Sequence, residues 1–356
     1  MVSSAFNFWR GKRVFLTGHT GFKGAWMLML LRKLGAEVKG YSLPAQADGL
    51  FESLKLHRDI EHREGDLRDF VKLKNEMKEF KADIVIHLAA QSLVLKSLRN
   101  PLETLETNVM GTANLCQAIR DLETPPKIFV NVTSDKCYLN QNQKRDFVET
   151  DALGGKDPYS ASKACAELVG ASFAQSFLSA LRVSYVSVRA GNVIGPGDWA
   201  DDRVVPDFFR SYGSKSILKI RQPQAIRPWQ FVLEPLVGYL RAAEWAHGNL
   251  KQEISETAFN FGPMKSSQKT VQELLDQMNN ILVAKGHSRV AVQYESSVFQ
   301  EAQYLALDST RANQLLGWKP KFDFSQTVKA TVEGYLDLES HPSQDHCFQL
   351  IDQFIK

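Results

Sequence analysis

Gly18-His19-Thr20-Gly21-Phe22-Lys23-Gly24 is the stretch on which the fold turns. It follows a short β-branched run, Arg13 to Leu16, and opens a longer apolar segment, Phe22 to Leu34, so its glycines sit where a strand hands over to a helix. Glycine permits the tight turn and lets backbone approach a pyrophosphate closely, and a helix N-terminus offers unpaired N–H groups with a partial positive charge. The spacing is G-x-x-G-x-x-G rather than G-x-G-x-x-G. Gly18, Thr20, Gly21, Phe22 and Gly24 are therefore candidate contacts to a dinucleotide. The alternative, glycines as turn punctuation alone, fits less well with a strand before and a helix after.

Outward from the loop, short apolar runs alternate with longer helical segments, the pattern of a parallel sheet covered on both faces. Strands are expected at Arg13 to Leu16, Glu37 to Tyr41, Asp83 to His87, Ile128 to Val132 and Val183 to Val188. Helices are expected at Phe22 to Leu34, Leu67 to Phe80, Pro101 to Leu122 and Pro158 to Phe177. Continuous apolar runs such as Ile84-Val85-Ile86 suit strands buried on both faces. The fold class is α/β: a Rossmann doubly wound parallel sheet over residues 1–190, rejoined by a returning segment at about 230–262. A smaller α/β lobe takes residues 191–229 and 263–340, where Gly- and Pro-rich stretches alternate with helical segments at Val204 to Tyr212 and Val271 to Leu282; a further helical segment, Val232 to His247, falls in the returning part. Residues 341–356 form a tail of unassigned structure.

Composition narrows the partners. The 356 residues carry 43 basic and 40 acidic side chains without a basic stripe, so nucleic acid is not expected as a partner. The start of the chain lacks a charged and then apolar leader, and no apolar run approaches a membrane span, so a cytoplasmic protein is expected. Cys116, Cys137, Cys165 and Cys347 are far apart with no zinc-like spacing, which predicts reduced thiols and no metal site.

Tyr159-Ser160-Ala161-Ser162-Lys163 places a phenol and an ammonium at i and i+4 on one helix face, started by Asp157-Pro158. A nearby positive charge lowers a phenol's pKa, making Tyr159 a base toward an alcohol, with Lys163 also holding a ribose. The bland alternative is a solvated helical pair. Position favours chemistry: the strand before it ends in Thr133-Ser134-Asp135-Lys136, and open α/β sheets bind ligands beyond the carboxyl ends of their strands. One expected feature is missing. Where an acidic residue would hold the adenosine ribose, the second strand ends Gly40-Tyr41-Ser42-Leu43, and no arginine replaces it, so NADP stays open beside NAD. Asp66, followed by Leu67, is a candidate adenine contact, with a helix N-cap as its alternative role.

The glycine loop, His87-Leu88-Ala89-Ala90-Gln91, Thr107-Asn108-Val109-Met110-Gly111-Thr112 and Tyr159 to Lys163 together resemble the extended short-chain dehydrogenase family over most of the chain. The resemblance implies NAD as cofactor, with Leu88, Ala89 and Ala90 along it and Asn108 beneath the site, either as a cofactor contact or as a purely structural hydrogen-bonding group. It also implies that a strand-end hydroxyl, Ser134 or Thr133, assists Tyr159. Asp135-Lys136 resembles the acid and base pair of the nucleotide-sugar 4,6-dehydratases, whose usual string is Ser-Thr-Asp-Glu. Lysine at the glutamate position, with Arg189 to Trp199 and Arg227-Pro228-Trp229-Gln230, resembles the branch acting on CDP-glucose, out to at least Pro320.

In that reading, oxidation at C4 acidifies the C5 proton, Asp135 protonates the departing C6 hydroxyl, and Lys136 takes the C5 proton. Such an acid needs a pKa raised by burial, and such a base must be neutral, which burial and the charge of Lys163 favour. The competing role for Lys136 is an ion pair with Asp135. Gln91, Asn192, Arg203, Arg227 and Trp229 would contact a nucleotide-sugar substrate, arginine suiting bidentate phosphate binding; Trp199 and Trp229 stack on the base or fill the core. A homodimer or homotetramer built on the helices around Pro101 to Leu122 and Pro158 to Phe177, and deoxysugar supply for a bacterial surface polysaccharide, are further implications. The rivals are a 4-epimerase, against which Asp135-Lys136 argues, and a non-catalytic NAD sensor, against which the Tyr-Lys pair argues.

Overall fold

The computed structural model describes residues 4–143, 145–249, 257–295 and 304–355. The first three residues and part of the returning segment, 250–256, lie outside them. Seven parallel strands form one sheet: β1 Arg13–Thr17, β2 Glu37–Ser42, β3 Glu61–Glu64, β4 Ile84–His87, β5 Ile128–Val132, β6 Ser184–Ala190 and β7 Thr257–Phe261. Their order across the sheet is β7-β6-β5-β4-β1-β2-β3. The chain runs to one edge through β3, then crosses back to β4 beside β1, and a crevice opens at that reversal beyond the carboxyl ends of the strands.

Helices cover both faces. They are α1 Phe22–Lys33, α2 Phe70–Phe80, α3 Gly111–Arg120, α4 Pro158–Phe173, α5 Val204–Ser214, α6 Leu233–Gly248, α7 Val271–Ala284, α8 Phe324–Ser340 and α9 Gln344–Ile355. On one face α1, α6 and α9 build a core from Trp26, Leu30, Leu236, Leu240, Ile351 and Phe354 against Val14, Ile86 and Val130. On the other, Leu73, Met77, Leu115 and Ile119 pack on Phe15, Val85 and Phe129. Side chains alternate across a strand, so each buried run feeds both cores. A separate core joins α5, α7 and α8 through Phe208, Phe209, Leu274, Met278, Val332 and Tyr335, and short strand pairs complete that smaller lobe.

The sequence and the structure part at six places. β3 reads Glu-His-Arg-Glu, an edge strand too polar to stand out by hydrophobicity, and β7 is likewise absent from the expected strands. The second helix starts at Phe70 rather than Leu67, because Asp69, not Asp66, accepts the Lys72 amide at 3.0 Å as its N-cap. The helix expected from Pro101 is broken: Pro101–Leu105 passes into a widened i→i+5 turn, Glu106–Met110, before α3. The helix expected to Phe177 ends in a similar turn, Ala174–Leu178. The tail folds as α9, docked on α1 by Lys33–Asp352 at 3.0 Å and by Arg32 donating to Gln344 at 3.0 Å. No helix among the described residues is long and apolar enough to cross a membrane.

Candidate active site

A cleft of about 730 Å³ lies over the carboxyl ends of the strands, between the sheet and the smaller lobe. That size suits a small-molecule site. Every residue singled out from the sequence for cofactor or substrate lines it except Asn108.

The glycine loop forms its floor. Gly18 has φ +74°, and a Cβ there would stand 2.6 Å from the Ala89 amide nitrogen; a Cβ on Gly24 would stand 2.0 Å from the Gly18 carbonyl oxygen. These contacts pin the loop under the Leu88-Ala89-Ala90 segment while Gly21 stays open to the cleft, its nearest contact a carbonyl at 3.5 Å. α1 has no side-chain cap and no acidic residue in its first turn, so its N–H groups are free to meet an anion. The cradle fits a dinucleotide pyrophosphate.

At the adenosine end the structure explains the missing carboxylate. Thr20 and Ser42 share a hydroxyl hydrogen bond of 2.7 Å, Thr20 also donates to the Leu43 carbonyl at 3.0 Å, and Tyr41 is buried with its hydroxyl on the Asp66 carbonyl. Asp66 holds its cleft position but is gripped by Arg68, at 2.6 Å, which keeps its carboxyl below the usual range. Arg68 also pairs with Glu106.

The reactive groups gather at the other end. α4 begins at Pro158, capped by Asp157, and carries Tyr159 and Lys163 toward the end of β5. Just beyond β5 the backbone stays extended at Ser134, and the Thr133 and Ser134 hydroxyls find different partners. Thr133 donates to the Glu167 carboxylate behind the site. Ser134 faces the cleft, hydrogen-bonds Tyr159 and donates to Asp135 Oδ1 at 3.0 Å. The choice between the two hydroxyls thus falls on Ser134. Asp135 is 2 % exposed; burial raises its carboxyl pKa against the opposing charges of Lys136 and Arg227. Lys136 is half-buried on the same turn, and no ion pair of the described residues joins it to Asp135.

One expectation is corrected. Tyr159 is not depressed by Lys163: burial raises the phenol to about 12, opposed first by the Ser134 hydrogen bond, and the Lys163 ammonium points to the Val132 carbonyl at 3.4 Å. Burial lowers Lys163 itself to about 8. Two residues are engaged within the protein. Asn108 sits in the widened turn below the cleft, its side chain bridging the Gln91 amide (2.8 Å), the Gln91 carbonyl (2.9 Å) and Ser162 (2.8 Å), which is a structural role. Gln91 lines the cleft, but its amide is engaged by Thr104 and by the backbone of Leu93.

On the lobe side, Arg203 pairs with Asp198 at 3.0 Å and reaches Ser92, Arg227 is buried beside Asp135, and Asn192 lines the same cleft. Trp229 belongs to the lobe core, its indole N–H on the Lys269 carbonyl at 3.0 Å, with one edge on the cleft. Trp199 packs edge-on against Tyr335. Lys23 is a cleft residue that sequence reasoning missed. Its ammonium donates to Tyr239 at 2.9 Å, and burial, reinforced by Lys163 and Arg203, brings it to about 7. Its place inside the glycine loop was the available signal. No cluster of metal-ligating side chains occurs among the described residues.

Comparison with known proteins shows the family. The chain is 45% identical, over 92% of its length and 91% of the relative's, to the CDP-glucose 4,6-dehydratase of Salmonella typhimurium. It is 24% identical to the dTDP-glucose 4,6-dehydratase of Xanthomonas campestris, over 90% of this chain and 92% of that one. The solved dTDP-glucose 4,6-dehydratase of Bacillus anthracis, in complex with NAD, shares the fold with a TM-score of 0.76 at 19% identity, over 94% of this chain and all of that one. Residues 15–331 match the model of the GDP-mannose 4,6 dehydratase family, and the chain belongs to that family of extended short-chain dehydrogenase enzymes.

Proposed function

We propose that this protein converts CDP-glucose to CDP-4-keto-6-deoxy-glucose and water, using NAD. The observation that carries the reading is Asp135: a carboxyl buried at the strand end with its pKa raised, one hydrogen bond from the Ser134 hydroxyl that also meets Tyr159. A plain epimerase needs no acid there. The 45% identity to a CDP-glucose 4,6-dehydratase supports the substrate.

NAD, when bound, supplies a hydride acceptor at C4, a positive charge beside the phenol, and later the same hydride at C6. Tyr159, with Ser134 bridging to it, takes the C4 hydroxyl proton, and Lys163 keeps an ammonium behind the pair. The ketone at C4 acidifies C5, and Lys136 removes that proton from the open side of the turn. Asp135, neutral through burial, gives its proton to the C6 hydroxyl, and water departs. Arg203 and Arg227 hold the diphosphate, with Asn192 at the sugar. Gly18, Gly21 and Gly24 cradle the dinucleotide pyrophosphate, with Thr20, Phe22, Leu67, Leu88, Ala89 and Ala90 along it. NAD suits the adenosine end better than NADP, because the Arg68 guanidinium is taken up by Asp66 and Glu106.

The test is incubation with NAD and CDP-glucose, followed by the alkali-induced absorbance of a 4-keto-6-deoxyhexose. Absence of that product with every nucleotide-glucose overturns the reading. Lys136→Met should lower turnover by about 10²-fold, the lower end of what a positioned base contributes; undiminished turnover would remove lysine from the chemistry. Because no carboxylate grips the ribose, NAD should be lost on gel filtration and restored by addition. A purified protein that keeps stoichiometric NAD through that step contradicts the weak-grip prediction.

The assembly we propose is a homodimer or homotetramer through α4 and the helices around Glu106–Met110. Leu102, Met110 and Leu168 there are 72%, 54% and 58% exposed, apolar area that a second copy would cover. A cytoplasmic location and deoxysugar supply complete the proposal.

A further inference from the structure

Glu167 follows Lys163 by one helical turn and Tyr159 by two, on the same face of α4. It is 4 % exposed. Its carboxylate accepts from the Thr133 hydroxyl and, in a two-pronged pair, from Arg189 Nε and Nη2 at 2.9 Å each. Arg189, near the end of β6, also donates to the Tyr138 hydroxyl at 2.8 Å and the Glu149 carbonyl at 3.1 Å. Tyr138 in turn donates to Asn260 of β7 at 2.7 Å. One buried pair therefore ties the ends of β5, β6 and β7 to α4 directly behind the reactive groups.

Stability is a poor account of such a pair, since desolvating two charges offsets most of their attraction. Its position gives a better one. Thr133 bound to Glu167 leaves Ser134, in extended backbone just beyond β5, the cleft side to face, and Asp135 follows from it. We propose that Glu167 and Arg189 are positioning residues: they lock Thr133 so that Ser134 and Asp135 aim into the cleft, and they set a carboxylate one helical turn behind Lys163. The proposal rests on the dehydratase reading for its rate measurements and, for the lysine, on the placement of Glu167 one turn along α4.

Lys163 is acted on by Glu167 on its own helix and by Cys137 beyond β5, and its own charge bears on His87 from β4 and Lys23 from α1. Glu167 is faced by Arg189 and Ser187 from β6 and by Thr133, with Tyr185 and Cys137 beside it. Burial lowers Lys163 and Glu167 raises it, so removing the carboxylate moves Lys163 further down.

The experiment compares Glu167→Gln and Thr133→Val with the unaltered enzyme, each checked for folding by circular dichroism. Glu167→Gln should lower kcat by about 10-fold to 100-fold at little change in KM, as loss of alignment does, and shift the alkaline limb of the rate to lower pH. Competitive acetylation with acetic anhydride, read by mass spectrometry, should show the same downward shift in Lys163 without substrate. Glu167→Asp, which keeps the charge, should restore the Lys163 titration more than the rate. Thr133→Val should lower kcat without moving either titration, and it carries the test if Glu167→Gln does not fold. Folded variants with unchanged kcat and an unchanged Lys163 titration overturn the proposal. If the unaltered enzyme makes no deoxysugar, the dehydratase reading fails, while the acetylation result still decides the role of Glu167 at Lys163.

Discussion

Asp135→Asn should slow water loss by about 10²-fold to 10⁴-fold, the range a positioned general acid contributes, while leaving oxidation at C4 in place. The amide keeps the shape and the contact with Ser134 at 3.0 Å but has no acidic proton to give. The variant should therefore accumulate reduced nicotinamide with CDP-glucose and release little deoxysugar. The pH dependence follows from the raised pKa: Asp135 is active when protonated, so its contribution is full at low pH and fades as pH rises through its elevated value. Removing a buried ionisable group at constant volume should leave the thermal midpoint unchanged or higher. Wild-type dehydration by the variant would end the assignment of Asp135 as the acid.

Tyr159→Phe should fail one step earlier. Loss of the phenol removes the acceptor for the C4 hydroxyl proton, worth about 10²-fold to 10⁴-fold in rate, so neither reduced nicotinamide nor solvent exchange at C5 should appear. That contrast separates the two residues even though both variants yield little product. In the free site the phenol is held protonated by burial up to about 12, so it becomes a base only in the loaded, positively charged site. Lys163 sets the alkaline limit. Its ammonium is present below about 8, and turnover that depends on it declines as pH rises through that value. A Tyr159→Phe enzyme that still reduces NAD with CDP-glucose at the wild-type rate refutes the base role.

The parts of this site that sequence makes legible are those carried by short spacings. Gly18, Gly21 and Gly24 before a helix, and Tyr159 with Lys163 at i and i+4, declare their geometry because local chain structure fixes it. The central strands are legible for a similar reason, being apolar on both faces. What stays hidden depends on contacts across the fold. That Thr133 is taken up by Glu167, thirty-odd positions along the chain, and Asn108 by Gln91 and Ser162 cannot be read from local spacing. Lys23 looks like a surface lysine until Tyr239, more than two hundred residues away, is seen to receive it. β3 is too polar to announce itself by hydrophobicity.

The docking of α9 on α1 also bears on how the molecule is made. The helix that carries the dinucleotide cradle leans on residues 344–355, and the sheet under it is completed only by β7. A chain emerging from the ribosome therefore cannot finish its amino-terminal half first, as consecutive domains do. Its opening segment must wait, with apolar surface exposed, until residues 344–355 have emerged. Folding here joins α1 to a helix some three hundred residues further along, slow by the measure of sequence separation, and chaperone protection matters most in that interval.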